Sequence, residues 1–343
     1  MGSKTQPNVT LKQYRTSHEQ QTIILLDRSE ILLAPHKAFT LCEEIDVLRT
    51  NTDRLVKISV VGEIASPVYG AGIYRISSEG QPVVLPGVGG ITYNIRVGDP
   101  ACGWEADHVE PGVSIENREE DSRFKRGANT ALNVLSCVGN VAVVVTGEAK
   151  GEKGVVTGKH GGIEHVLLDF QPETLEKLML GDKILVKAFG VGLKLLDFPD
   201  IKVMNMDPLF LEAMEFKPKS GKLEVPVTYV IPAAIMGSGL GANQTYSGDY
   251  DIQLFDESIR KEYGLENLRL GDLIAIENAD HSYGRVYKQG AMSVGIVVHT
   301  NCVSSGHGPG VTTLFTSPDG KIIPRIDEKA NIASILKLRT DIL

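Results

Sequence analysis

The chain has 343 residues, 42% of them apolar, enough to bury a sizeable core without disulfides. Its net charge is −8 and no basic run exceeds two residues, which argues against nucleic acid and anionic membrane as partners, because both need a cationic patch. Four scattered cysteines (Cys42, Cys102, Cys137, Cys302) with no Cys-x-x-Cys pair argue against a zinc ribbon and fit a reduced compartment.

No apolar run approaches the length needed to cross a bilayer. These features predict a soluble cytoplasmic protein acting on a small-molecule substrate, expected to be a homo-oligomer. With 36 glycines and only 6% aromatics, it should be turn-rich and β-heavy.

Residues 1–21 are polar and read as a mobile N-terminal arm. Residues 22–150 read as an N-terminal β domain. Its clearest strand is 55–63 (LVKISVVGE), followed by β runs at 82–85, 91–97 and 141–146. Between them lies a long acidic loop, 98–126, which holds Trp104 and the cluster Asp107-His108-Val109-Glu110-Pro111-Gly112. Loops of that length are commonly functional. If the cluster is extended, residues 108 and 110 share a face, so Asp107, His108 and Glu110 could meet one cation. The alternative is a solvated acidic loop closed by a Pro-Gly turn.

A Gly- and Lys-rich stretch, 148–162, places a domain boundary near its start. Within it, Gly158-Lys159-His160-Gly161-Gly162 lacks the spacing of a phosphate loop, so nucleoside triphosphate binding is rejected. Lys159 with backbone N–H groups could still cradle a carboxylate, and His160 could ligate a metal. A flexible linker is the competing reading.

Residues 151–343 contain an internal repeat. EKLMLGDKILV at 176–186 matches ENLRLGDLIAI at 266–276. In both copies a helical turn ends, Gly-Asp turns the chain, and an apolar strand enters the core. Such duplication predicts a pseudo-duplicated C-terminal β-barrel. A second Gly-rich loop, 236–243, supplies Asn243 as a substrate contact and is followed by Asp249 and Asp251. It precedes the second copy as the Lys159 loop precedes the first, so either the two loops line a shared pocket or both are ordinary connections. After the second repeat strand, Asp280 is a candidate metal ligand and His281 a candidate proton mover, unless the segment is only a polar turn.

The densest cluster of reactive groups is 296–310, where an apolar run leads into His299, Cys302, Ser304, Ser305 and His307. Cys302 could be a nucleophile activated by His307 or His299, with Ser304 and Ser305 binding substrate. It could equally be an inert thiol. A third reading is backbone cleavage at Asn301-Cys302, leaving a pyruvoyl-type carbonyl group.

The motifs Gly98-Asp99-Pro100-Ala101-Cys102-Gly103-Trp104, Asp107 to Gly112 and Ser305-Gly306-His307-Gly308-Pro309-Gly310 resemble the domain-of-unknown-function 4438 family, a resemblance that covers most of the chain and implies no established activity. Locally, 297–304 is similar to the processing segment of glycine and sarcosine reductase B-component proproteins, which implies cleavage at Asn301-Cys302. The stretch from Gly241 through Asp251 to Asp272 is loosely similar to acetamidase/formamidase, which implies metal-assisted amide hydrolysis.

The expectation is a β-rich α+β protein, an N-terminal β domain plus a C-terminal barrel. Its expected function is that of a metal-assisted hydrolase or lyase acting on a small polar anionic substrate with a divalent metal ion. A self-processed pyruvoyl enzyme and a non-catalytic ligand-binding or scaffolding protein are the alternatives.

Overall fold

A computed structural model describes residues 12–15, 20–23, 48–69, 72–120 and 126–341. The chain divides into two units, Met1–Val47 and Leu48–Leu343. In the first, Lys12–Arg15 pairs antiparallel with Gln20–Ile23. The arm expected over 1–21 otherwise lies outside the described residues.

The second unit is built on a closed barrel. Its strands are β1 (Ile58–Ile64), β2 (Gly112–Glu116), β3 (Val141–Val144), β4 (Lys153–His160), β5 (His165–Asp169) and β6 (Lys183–Ala188). Antiparallel pairing runs β1–β2–β5–β4–β3–β6 and back to β1, so no edge is left within the ring. Inward-facing Ile64, Val113, Ile115, Ala142, Val144, Val156, Val166, Leu168, Ile184 and Val186 fill the interior, and the helix Gly127–Leu135 adds Leu132. Each such aliphatic side chain contributes roughly 1.5–3 kcal/mol by leaving water.

Five further strands form an open sheet: β7 (Lys202–Val203), β8 (Tyr229–Pro232), β9 (Leu273–Asp280), β10 (Val286–Val297) and β11 (Val311–Ser317), in the order β7-β11-β10-β9-β8. Only β8 and β9 run parallel. Both faces of this sheet are covered. Leu273 and Ala275 pack into one apolar cluster and Ile274 and Ile276 into another, which is why β9 begins as an unbroken apolar run rather than an alternating one. The first of these clusters also includes Val138 and Leu167, so it ties the sheet to the barrel. Val298, just past β10, packs directly on Gly158 of β4.

The β-rich α+β class is as expected, but the closed barrel falls on Ile58–Ala188 and not after residue 150. The stretch 148–162 is a tight turn followed by β4, whose pairing with β3 and β5 closes the ring, so its glycines serve hairpin turns and not a linker. The two repeat copies enter different structures. The first strand is β6 of the barrel and the second is β9 of the open sheet. A short helix forms near the C-terminal end, at Ile332–Ile335.

Candidate metal centre

Four histidines from four separate segments converge at the mouth between barrel and sheet. His160 ends β4, His299 follows β10 by two residues, His108 sits in the loop before β2, and His307 sits in the loop before β11. Their ring centroids lie 4.3 Å apart for His160–His299, 5.2 Å for His108–His299, 5.3 Å for His108–His307 and 6.0 Å for His108–His160. Asp249 and Asp251 complete the group. With Gly161, Gly239, Gln244 and Arg285 among other residues, these side chains (His299 excepted, fully buried beneath) line a cavity of about 360 Å³.

Local sequence explains several placements. Residues 107–110 form a bend, with His108 at φ 59°, rather than the extended segment expected. His108 N donates to Asn301 O (3.1 Å) and Val109 N to Thr300 Oγ1 (2.9 Å), so the acidic loop and the 299–310 segment share one pocket. Asp249, Tyr250 and Asp251 alternate: Tyr250 is buried in the core, and both carboxylates face the histidines. The two Gly-rich loops touch where Gly161 meets Gly248, and Gly161 N donates to Asp249 Oδ1 at 2.7 Å. A Cβ at Gly310 would lie 1.8 Å from Asp249 Oδ2 and 2.3 Å from His299 Nε2, so only glycine leaves room for that pair.

Three donor triads emerge, each with ligand atoms within 4.8 Å of one another: His160, Asp249 and His299; His108, Asp251 and His307; and Asp107, His108 and Cys302, which shares His108 with the second and lies behind the cavity wall. The outward nitrogens of three histidines are tied to acceptors. His299 Nδ1 donates to Thr300 O (2.9 Å), His160 Nδ1 to Glu110 Oε1 (2.6 Å), and His108 Nδ1 lies 3.3 Å from Asp107 Oδ1. A carbonyl or a carboxylate can only accept, so each outward nitrogen carries a proton and each Nε2 points inward, where its lone pair would serve a cation that displaces any second proton. Burial opposes the charged form of His108 and His160, but their carboxylate neighbours outweigh it and raise both pKa values. His299 Nε2 then meets Asp249 Oδ2 at 2.7 Å. A carboxylate can only accept, so without a cation His299 Nε2 donates to Asp249 Oδ2, and a cation bound there would take the place of that proton.

Glu110 and Asp107, expected as ligands, bond to the outward sides of His160 and His108, and Asp107 also groups with His108 and Cys302 as a candidate donor. Glu110 is fully buried and accepts from His160, His165 (2.9 Å), Ser114 Oγ (2.5 Å) and Gly89 N (2.7 Å). Burial alone would raise its pKa, but the bonds to His160 and His165 hold it well below the usual carboxylate range. Asp107 accepts from the Cys302 thiol (2.9 Å) and pairs with Arg75 (2.7 Å). Burial opposes its charge, and His108, Cys302 and Arg75 outweigh burial and hold it low. Cys302 thus faces a carboxylate at the back of His108.

Other expected residues lie elsewhere. Lys159 is buried, its Nζ donating to Asn205 Oδ1 and Tyr246 O, both at 2.7 Å, and burial pushes its pKa down to about 8. It does not line the cavity, because alternation along β4 points it away from His160. Asp280 caps a turn by accepting from Ser282 N (2.9 Å), and His281 is bonded to Thr313 Oγ1 (2.8 Å) and packed edge-on against Tyr250. Burial pushes His281 down to about 3. Asn243 and Ser305 are exposed, Ser304 half-buried, and none of the three lines the cavity.

Sequence reasoning did not assign Asp249, Asp251 or His299 as ligands, nor Arg285. The Asp-Tyr-Asp alternation was a usable signal, because an apolar residue between two carboxylates sends both to one face. Arg285 had none. The residue is 4% exposed, its Nε has no partner among the described residues, and Nη2 makes only a 3.4 Å contact with Gln244 O.

The fold and this pocket define a β-barrel protein with a His/Asp centre. The chain belongs to the DUF4438 family: residues 74–212 match "Domain of unknown function (DUF4438), N-terminal" and residues 213–336 match "Domain of unknown function (DUF4438), C-terminal". It is similar to a solved structure described as "Crystal structure of TM1086", at 52% identity and a TM-score of 0.78, covering 83% of this chain and 98% of that one. No curated protein matches it.

Proposed function

We propose that the protein is a metal-dependent hydrolase or lyase acting on a small polar anionic substrate. The observation that carries this reading is the triad His160, Asp249 and His299. Its two imidazoles have their outward nitrogens pinned by Glu110 and Thr300 O, so both Nε2 atoms face one carboxylate. Two histidines and a carboxylate, with room for further ligands from the cavity, form the donor set of catalytic divalent-cation sites. His160, Asp249 and His299 would hold a cation there, and it would supply Lewis-acid polarisation of a substrate carbonyl and acidify a bound water or an adjacent C–H bond.

This chain's own residues do the rest. Arg285, buried at the cavity wall and short of acceptors, binds the substrate's anionic group, the role expected of Lys159. Asp249, held by Gly161 N, keeps His299 aligned. Hydrolysis and elimination need the same cation and the same anion anchor, and product analysis separates them.

The test is elemental analysis of the purified protein before and after chelation, coupled to turnover of a panel of small carboxylated amides and hydroxy acids. Stoichiometric metal is expected, with activity lost on chelation and in His299→Ala. Absence of bound metal, or turnover indifferent to both changes, sinks the reading.

A further inference from the structure

We infer that the pocket takes two divalent cations, with Asp251 as the ligand shared between them. This rests on the metal-dependent reading above and extends it to the second triad.

Asp251 stands between the triads with one oxygen toward each. Its Oδ1 lies 3.8 Å from His299 Nε2, and its Oδ2 lies 3.2 Å from His307 Nδ1 and 3.8 Å from His108 Nε2. Ligand atoms of a tetrahedral cation with bonds of about 2.05 Å sit about 3.3 Å apart. The distances of Asp251 to His307 and His108 bracket that spacing on the outer side, and the ring pair His160–His299 lies directly beneath. A carboxylate with its two oxygens aimed at two imidazole groups is the arrangement that bridges paired cations about 3.5–4 Å apart.

The backing of the second triad repeats that of the first. His108 Nδ1 faces Asp107 as His160 Nδ1 faces Glu110, so each triad has one histidine oriented by a buried carboxylate. Asp107 is held in turn by Arg75, Cys302 and Val303 N (3.2 Å). That support explains a fully buried carboxylate in a loop: it fixes His108 with its Nε2 inward. Charge points the same way. Two dications against Asp249 and Asp251 leave a net positive floor, and Arg285 adds to it, so the cavity selects an anion able to reach both.

The experiment is titration of chelator-treated, full-length protein with Co²⁺, following visible absorption and bound metal per chain. Wild type is expected to bind two equivalents. His307→Ala and His108→Gln should each weaken the second equivalent about tenfold or more and leave the first unchanged. Asp251→Asn should weaken both. Melting curves of the metal-free variants confirm that they fold. Saturation of wild type at one equivalent, or a second equivalent indifferent to both His307→Ala and His108→Gln, overturns the two-cation proposal while leaving the single-cation reading intact. No binding in any form overturns both.

Discussion

The two His/Asp triads use the same residue types but differ in enclosure. His160 and Asp249 are buried in the cavity floor with His299 beneath them, whereas the His307 side chain of the outer triad is 42% exposed. The inner histidines leave rigid strands, and the outer ones stand on loops. Preorganised donors lose little entropy on binding, so the inner position should hold its cation tightly and the outer should exchange. Paired cation sites of unequal affinity follow from one group being backed by sheet and barrel and the other by loop.

Asp249→Ala breaks this comparison most severely. It removes the inner carboxylate and the acceptor of both Gly161 N and His299. Added Zn²⁺ should stabilise wild type by about 4 kcal/mol at a thousandfold excess over Kd, and calorimetry should find most of that increment gone in the variant. An intact increment would mean that the inner triad is not the tight site. Glu110→Gln tests whether orientation alone makes the inner site tight. Chelator competition should show affinity falling about 10–100-fold with the chain still folded.

Arg285→Gln should separate anion from cation binding. Isothermal titration of metal-loaded protein with malonate should weaken about tenfold, with metal content unchanged. A fall in metal content would instead make Arg285 part of the cation site's support.

His281, packed behind Tyr250 and contacting neither triad, is the control and the smallest effect at neutral pH. Its folded pKa, about 3, lies below the ordinary histidine value of 6.5. Between these values the unfolded chain binds the extra proton, so this contribution is complete above pH 6.5 and is lost as pH falls toward 3. In His281→Asn the acid limb of stability against pH should flatten by up to about 1.4 kcal/mol per pH unit. An unchanged limb would place the acid sensitivity in the triads.

Much of this was legible in local sequence. Gly181-Asp182 and Gly271-Asp272 form the same turn, with φ 84° and 83°, and each aspartate accepts from the backbone N–H three residues earlier, Met179 at 3.0 Å and Arg269 at 2.8 Å. Glycine tolerates the left-handed angle, and a short carboxylate reaches back, so eleven residues suffice to specify it. His108, His160 and His307 likewise stood out as imidazoles in Gly-rich or acidic loops. His299 did not, because at the end of an apolar run it reads as a base for Cys302 or as core.

By itself, then, the sequence determined the β-rich class, the paired Gly-Asp turns and the presence of clustered metal-binding residue types, all of which depend on neighbours a few positions apart. Only the tertiary structure decided that the barrel closes across residue 150, that the repeat copies belong to different sheets, and that Glu110 and Asp107 meet the outward nitrogens of His160 and His108. These outcomes depend on strand pairing and on contacts such as Thr300 with Val109 or Asp249 with Gly161, which join residues 88 to 191 positions apart. Separations of that kind leave no periodic trace in a chain.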